Sequence, residues 1–433
     1  MASPIRGETA GLRMRVVAAL MLLPIAIMAA NGQTQRPTQP SVPPGQQTTA
    51  GSATETAPTT RRQGWSYDPD AGAVLQHGDF KWTIWGYGEH VFRPEGDGFW
   101  RRVRQGMEFD LPRFAPHYRS ALVYELDFTD TNFFRDRSKL NVVENLYWTV
   151  QDAEDPGKFR VLFGENTHIL SREDNLSSGD LPTINRALVL EEHGSVHSFG
   201  TQFGIEVFKS LTPRYSFAFS ALDNRGSLNT SNPRYVVGNS LAVKLTGQLL
   251  NDEKRGRKIS VGAGLDQTRD IRNGTWGFIS PVAGQAIGSA PASGNEWSAE
   301  GEIVYMDRLR KHAYTVESEH VVSSFSKSQT FLPGGYVMGQ YSVFDTRRWG
   351  DLDPFVRYDW VHLSTPAISA AITQQAVRAG FNWNLPEAHK LVNFHLEYGR
   401  SSITGPLSAV PLGSPHNELG LELRFNATRY IRH

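Results

Sequence analysis

Between Gly157 and Val207, two stretches of strict alternation flank a long stretch with none. After Lys158, the apolar residues Phe159, Val161 and Phe163 recur at every second position, and from Thr201 to Val207 the residues Phe203, Ile205 and Val207 repeat the pattern. A period of two predicts strands with one apolar and one polar face. The connection from Glu165 to Ser195 is rich in Ser, Asp, Glu and Asn and has no sustained period. Connections longer than about 12 to 15 residues are uncommon in compact folds and usually carry function.

From Gly78 onward the alternation continues in about sixteen segments, and short and long gaps take turns between them. Tight turns fall at Pro112 to His117, Asp155 to Gly157, Thr212 to Pro213, Asp252 to Lys258, Asp307 to Arg310, Arg347 to Gly350 and Pro386 to His389. Longer loops include Glu165 to Ser195 and the Gly, Ala, Ser and Pro-rich Gln267 to Asn295. An even number of strands of about ten residues, with short turns at one end and longer loops at the other, marks a transmembrane barrel. A soluble sandwich alternates too, but its apolar face points to a core rather than to lipid. The expectation is an all-β, transmembrane antiparallel β-barrel of about sixteen strands, with Glu165 to Ser195 as its third external loop. Trp82, Trp85, Tyr118, Trp148, Tyr215, Trp297, Trp383 and Tyr398 are then expected at the membrane interfaces, where amphipathic rings are favoured.

Composition agrees. The 433 residues include 23 Phe, 14 Tyr, 10 Trp and 40 Gly, which suits many strands and turns, and no Cys, which excludes disulfides and thiolate metal sites. Lys plus Arg and Asp plus Glu both number 44, so the basic excess of a nucleic-acid binder is absent. Arg6, Arg13 and Arg15 precede an apolar run from Val16 to Ala30. Residues 1–32 therefore read as a secretory signal peptide, the run being shorter than the roughly 20 residues a spanning helix needs. Residues 33–77 read as a Pro, Thr and Gln-rich linker, and 78–433 as the barrel.

Alternation also assigns the wall. Arg102, Arg104, Arg119, Lys158, Arg160, Lys244, Arg357, Arg378 and Arg424 are expected to point inward, as are more numerous acids that include Glu108, Glu125, Glu206, Glu302, Glu317, Glu319, Asp359, Glu397 and Glu422. A basic strip of Arg102, Arg104, Lys158 and Arg160 is expected to face an acidic strip of Glu165, Glu173, Asp174 and Asp180 on the long loop, with Glu108, Glu125, Arg172 and Arg186 completing the constriction. A ring of one sign selects for the other. His193 and His197, four apart beside Glu191 and Glu192, lack the spacing of a helical zinc motif. No nucleophile elbow is present, and no phosphate-binding glycine loop follows a strand, so neither a cofactor, a metal nor a catalytic residue is expected. Lys254 to Lys258 reads as a solvated hairpin tip.

Three stretches resemble the phosphate-selective porin O and P family of outer-membrane proteins: Phe99 to Glu108 with its Arg101, Arg102 and Arg104; Gly157 to Val161, with the loop through Asn185 and Arg186 to Gly204; and Pro354 to Tyr358 with Gly380 to Trp383. The resemblance implies a sixteen-stranded barrel, a homotrimer, a third loop folded toward the lumen, and basic strand residues that attract anions. The chain departs from it in ending on Arg432 and His433, where such barrels commonly end on an aromatic residue. The expected function is that of a porin in the bacterial outer membrane, in contact with lipid, passing small hydrophilic solutes or ions by diffusion. An anion- or phosphate-selective channel is the alternative, and an outer-membrane enzyme or adhesive scaffold the reading from a different class.

Overall fold

The computed structural model describes residues 64–426 apart from 69–71, 79, 94–95, 129–142, 174, 177–180, 191–200, 224–237, 273, 283–285, 310, 345–349, 369–370, 386–391 and 406–415. Residues 1–32, expected to be a signal peptide, and His193 and His197 lie outside the described residues. The strands are β1 (Gly64–Asp68), β2 (Gly72–His77), β3 (Phe80–Arg93), β4 (Gly96–Ala115), β5 (Tyr118–Asp127), β6 (Val143–Asp152), β7 (Phe159–Thr167), β8 (Thr201–Thr212), β9 (Tyr215–Asp223) and β10 (Asn239–Asp252). They continue as β11 (Arg257–Ile271), β12 (Thr275–Ile279), β13 (Ala286–Pro291), β14 (Gly294–Leu309), β15 (His312–Phe325), β16 (Thr330–Val343), β17 (Asp351–Leu363), β18 (Ile372–Asn384), β19 (Val392–Thr404) and β20 (His416–Asn426).

Leaving aside β1, β2, β12 and β13, each strand pairs antiparallel with the next, and β20 returns to β3 through Leu421↔Phe92 to Asn426↔Tyr87. The result is a closed barrel of sixteen strands. Closure removes the free edges that lipid cannot tolerate. Side-chain direction decides between lipid-facing and soluble packing. On β17, Val356 is 59% exposed and Tyr358 40%, while Arg357 and Asp359, which alternate with them, are fully buried. On β10, Leu241, Val243 and Leu245 are exposed and Ala242 and Lys244 are buried. The apolar face points outward and the charged face inward, the reverse of a soluble sandwich and the arrangement a barrel in lipid requires.

Two expectations need correction. The end of the stretch expected as linker is ordered sheet: Gly64–Asp68 and Gly72–His77 form a hairpin whose second strand pairs with Phe80 to Ile84 of β3. One edge of β3 is thus shared, β20 taking Tyr87 to Phe92 and β2 taking Phe80 to Ile84. Trp65 of the hairpin lies 5.8 Å from Trp82, which stacks on Phe109 at 5.4 Å. Trp85 is not an interface residue: it is buried inside the barrel with Val123, Tyr147 and Leu162. The bare backbone of Gly106, its cross-strand partner, makes room for the indole. Tyr118, Trp148, Trp297 and Tyr398 are on the exposed outer surface.

Candidate functional site: a lumen narrowed by two loops

The connection between β7 and β8 (168–200, loop 3) turns into the barrel. Its start is fixed by His168, whose Nε2 lies 3.2 Å from Ser240 Oγ and 3.3 Å from Asp266 Oδ1, all three residues being fully or almost fully buried. These are the residue types of a catalytic triad, but one ring nitrogen meets both partners while Nδ1 accepts the Leu170 backbone N–H. A triad needs serine and carboxylate on opposite nitrogens, so this trio acts as an anchor.

From there the loop follows the wall, and inward-pointing charges satisfy its backbone. Lys244 donates to the Leu170 carbonyl at 2.7 Å, and Glu319 accepts from the backbone N–H groups of Arg172 and Glu173. Arg357 binds the Glu173 carboxylate through two nitrogens and Asp359 through a third. Arg378 reaches the carbonyls of Asn185 and Arg186, Arg424 those of Leu181 and Thr183, and Glu397 accepts from Ile184 N–H at 2.6 Å. Buried carbonyls and N–H groups need partners. Here β10, β15 and β18 to β20 supply them, while β17 holds the Glu173 side chain, which is why loop 3 can lie inside the barrel.

The sequence reading missed a second inward loop. The connection between β11 and β14 (272–293, loop 5) carries the β12–β13 hairpin and packs on loop 3. Asn185 donates to the Val282 carbonyl at 2.8 Å, Gln374 donates to the Ile279 carbonyl at 2.6 Å, and Glu418 accepts from Val282 N–H at 2.7 Å. Leu188 and Val189 of loop 3 join Trp276, Phe278 and Ile279 of loop 5 and Tyr336, Met338 and Phe355 of the wall in one apolar core within the barrel. Ile184 and Val282 meet Val91 and Phe99 on the first strands. The signals were apolar residues inside loops, Ala187 to Leu190 and Trp276 to Ile279, where a solvated loop would be polar.

An open space lies between the other flank of loop 3 and the wall from β4 to β10. A cavity of about 570 Å³ there is lined by Ile169, Arg172, Asn175 and Leu176 of the loop and by wall residues that include Glu108, Arg119, Tyr147, Arg160, Phe208 and Lys244.

The expected facing strips are not brought together. Arg104 bonds Glu125, Asp127 and Glu144, all from its own side of the barrel, at 2.6–2.9 Å. Arg102 is beside Arg104, Tyr87 and Glu89. Arg119 binds Glu108 and Asp110. Glu173 turns to Arg357 on the opposite wall, and Arg172 bonds Glu317 at 2.7 Å. Arg186 donates to the carbonyls of Glu173 and Leu176. Glu165 is completely buried, following Gly164 at φ 138°, a backbone setting that interrupts the alternation of β7. Lys158 is exposed in the turn before β7 rather than in the lumen. Arg160 rests on the Phe208 ring at 4.3 Å. Asp174 and Asp180 lie outside the described residues. For Arg104 and Arg119 the cause is the wall itself: a guanidinium and carboxylates already close on neighbouring strands form charge-assisted hydrogen bonds, which a field across open water cannot rival. Among the described residues no group of three or more His, Asp or Glu is placed to hold a metal ion.

The architecture has solved counterparts. The fold is that of an outer-membrane barrel. OmpT, an outer membrane protein of Vibrio cholerae folded in vitro, superposes with TM-score 0.53 at 11% identity, over 82% of this chain and 99% of that one. Its trimer form gives 0.51 at 11%, over 80% and 99%. A looser likeness, TM-score 0.48 at 14% identity over 81% and 98%, is to the outer membrane channel DcaP of Acinetobacter baumannii. The sequence matches no protein-family model and no curated protein, so the likeness to the phosphate-selective porins rests on the quoted motifs alone.

Proposed function

We propose that the protein is an outer-membrane porin through which small hydrophilic solutes or ions diffuse between loop 3 and the β4 to β10 wall. The observation that carries this is the cavity left on one flank of a loop whose other flank is tied down. An adhesive scaffold would have no need to line an interior space with Arg119, Arg160, Lys244 and Glu302. The same wall argues for weak ion preference rather than phosphate selectivity, because Arg101 pairs with Glu89 and Glu422 and Arg104 with three carboxylates. Export through the N-terminal signal and assembly as a homotrimer complete the proposal, the latter on the strength of the motif resemblance. Purified protein in a planar bilayer under a KCl gradient tests it. Steady conductance with a reversal potential near zero is expected, and inserted barrels that pass no current would refute the reading.

A further inference from the structure

The cations that line the cavity are not equivalent. Arg119 is bound to Glu108 and Asp110, Arg172 to Glu317, and Lys244 to Glu302 and the Leu170 carbonyl, while Lys209 is exposed. Arg160 has no carboxylate within ion-pairing distance among the described residues, and its buried Nε has no acceptor. Its guanidinium carbon lies 4.3 Å from the centre of the Phe208 ring. A ring under the guanidinium plane holds the charge in position without using any of its N–H donors. Those donors remain for an anion in the cavity, and a carboxylate matches their fork.

The remaining lining defines the rest of such a ligand. Tyr147, Val123, Leu162 and Ile169 offer apolar surface beside Arg160, and about 570 Å³ is within the usual range for small-molecule sites. Glu108 and Glu302 line the same space and oppose a second negative charge. One cation held in place on a ring with its donors unused, apolar walls and flanking acids specify one charge and an apolar body.

We propose that this cavity binds a small organic monocarboxylate, with Arg160 holding the carboxylate and Phe208 and Tyr147 flanking the body. The proposal rests on the reading of the lumen as accessible to solutes, yet its test does not depend on ion flow.

Equilibrium dialysis of the detergent-purified full-length protein against radiolabelled benzoate reads the site directly. Saturable binding is expected, unaffected by equimolar benzamide or inorganic phosphate. Arg160→Gln should weaken it at least tenfold, and Arg160→Lys should retain part of it. Absence of saturable binding, equal competition by phosphate, or an unchanged affinity in Arg160→Gln overturns the proposal. If circular dichroism shows Arg160→Gln to be misfolded, Arg160→Lys decides: affinity equal to the parent protein overturns the proposal. Benzoate binding by a barrel that carries no current would leave this site standing while removing the porin reading.

Discussion

Arg357 on β17 donates two hydrogen bonds to Glu173 in loop 3, at 2.5 and 3.0 Å, joining residues 184 positions apart in the chain. Both side chains are excluded from solvent. The same guanidinium lies 3.8 Å from the Tyr336 ring centre and bonds Asp359, which in turn accepts from Arg378. Loop 3 is thereby tied into a network that runs along the wall.

Arg357→Ala leaves Glu173 buried without its guanidinium donor and removes one of the donors to Asp359. Stranding a buried charge costs about 3–5 kcal/mol, so loop 3 should detach and channel conductance should rise. Replacing Glu173 and Arg357 together by apolar residues of similar volume should cost less than the two single changes summed. A double-mutant cycle on urea unfolding measures the difference, and additive effects would remove the pair from its role as anchor.

Acid should release the loop only below the ordinary carboxylate value. Burial acts to raise the pKa of Glu173 from its usual 4.5, but Arg357, the Ala187 N–H and Arg378 outweigh it and the net shift is downward. A carboxyl depressed in the folded state contributes stability that is present above the unfolded value and lost as pH falls through the folded one. Conductance should therefore be constant from neutral pH to 4.5 and increase only below it. Glu173→Gln should abolish the acid step that this group contributes. A step centred above 4.5 would assign release to other groups.

Sheet geometry makes a separate prediction at Gly106. A Cβ there would run into the Trp85 indole, so Gly106→Ala should force the ring from its place among Val123, Tyr147 and Leu162. Overpacking of this kind costs about 1–3 kcal/mol. Tryptophan emission should shift to the red as the indole gains water, while Gly301→Ala, where a Cβ meets nothing, should leave the spectrum unchanged.

The barrel itself was legible in the sequence because strand period, turn length and loop length are local properties. Val356, Arg357, Tyr358 and Asp359 show their two faces in four consecutive residues. The constriction was not legible, since alternation sends Arg104 into the lumen and the long third loop is expected to carry Glu173 there, but neither says which partners each finds. Glu125, Asp127 and Glu144 reach Arg104 through strand pairing, and Glu173 reaches Arg357 only because loop 3 crosses the barrel. The fall of Lys158 into a turn and the reversal after Gly164 also depend on where β7 begins and bends. Loop 5 was overlooked because its Gly, Ala and Pro content resembles a solvated loop, and only Trp276, Phe278 and Ile279 give it away.

Outer-face positions test the inside-out sense of the wall. Val356 sits in the middle of β17 and is 59% exposed, so Val356→Arg should place a charge in lipid at a cost of about 2–4 kcal/mol. Insertion into vesicles, followed by heat-modified gel migration, should fall accordingly. Gln340→Arg, on the inward face of β16 opposite Thr315, should insert normally. Equal insertion of both variants would mean that Val356 does not face lipid.

Loop 5 should set the width of the passage through loop 3 rather than by lining it. Its Val282 carbonyl holds Asn185, its Pro281 carbonyl receives Arg378, and Trp276 and Phe278 cover the same apolar core as Leu188 and Val189. Among the described residues, none of loop 5 lines the open cavity. Replacing 274–292 by a short Gly and Ser turn therefore removes no pore-lining group but withdraws several hydrogen bonds and much of the apolar support behind loop 3. Single-channel conductance should increase and become noisier as loop 3 moves, with the barrel still heat-modifiable. Restoring only Trp276 to Ile279 within the shortened loop should recover part of the original conductance, because those side chains supply the apolar contact. If conductance rises but the shortened and restored channels are indistinguishable, the hydrogen bonds to Val282 and Pro281 hold loop 3, and the apolar core does not.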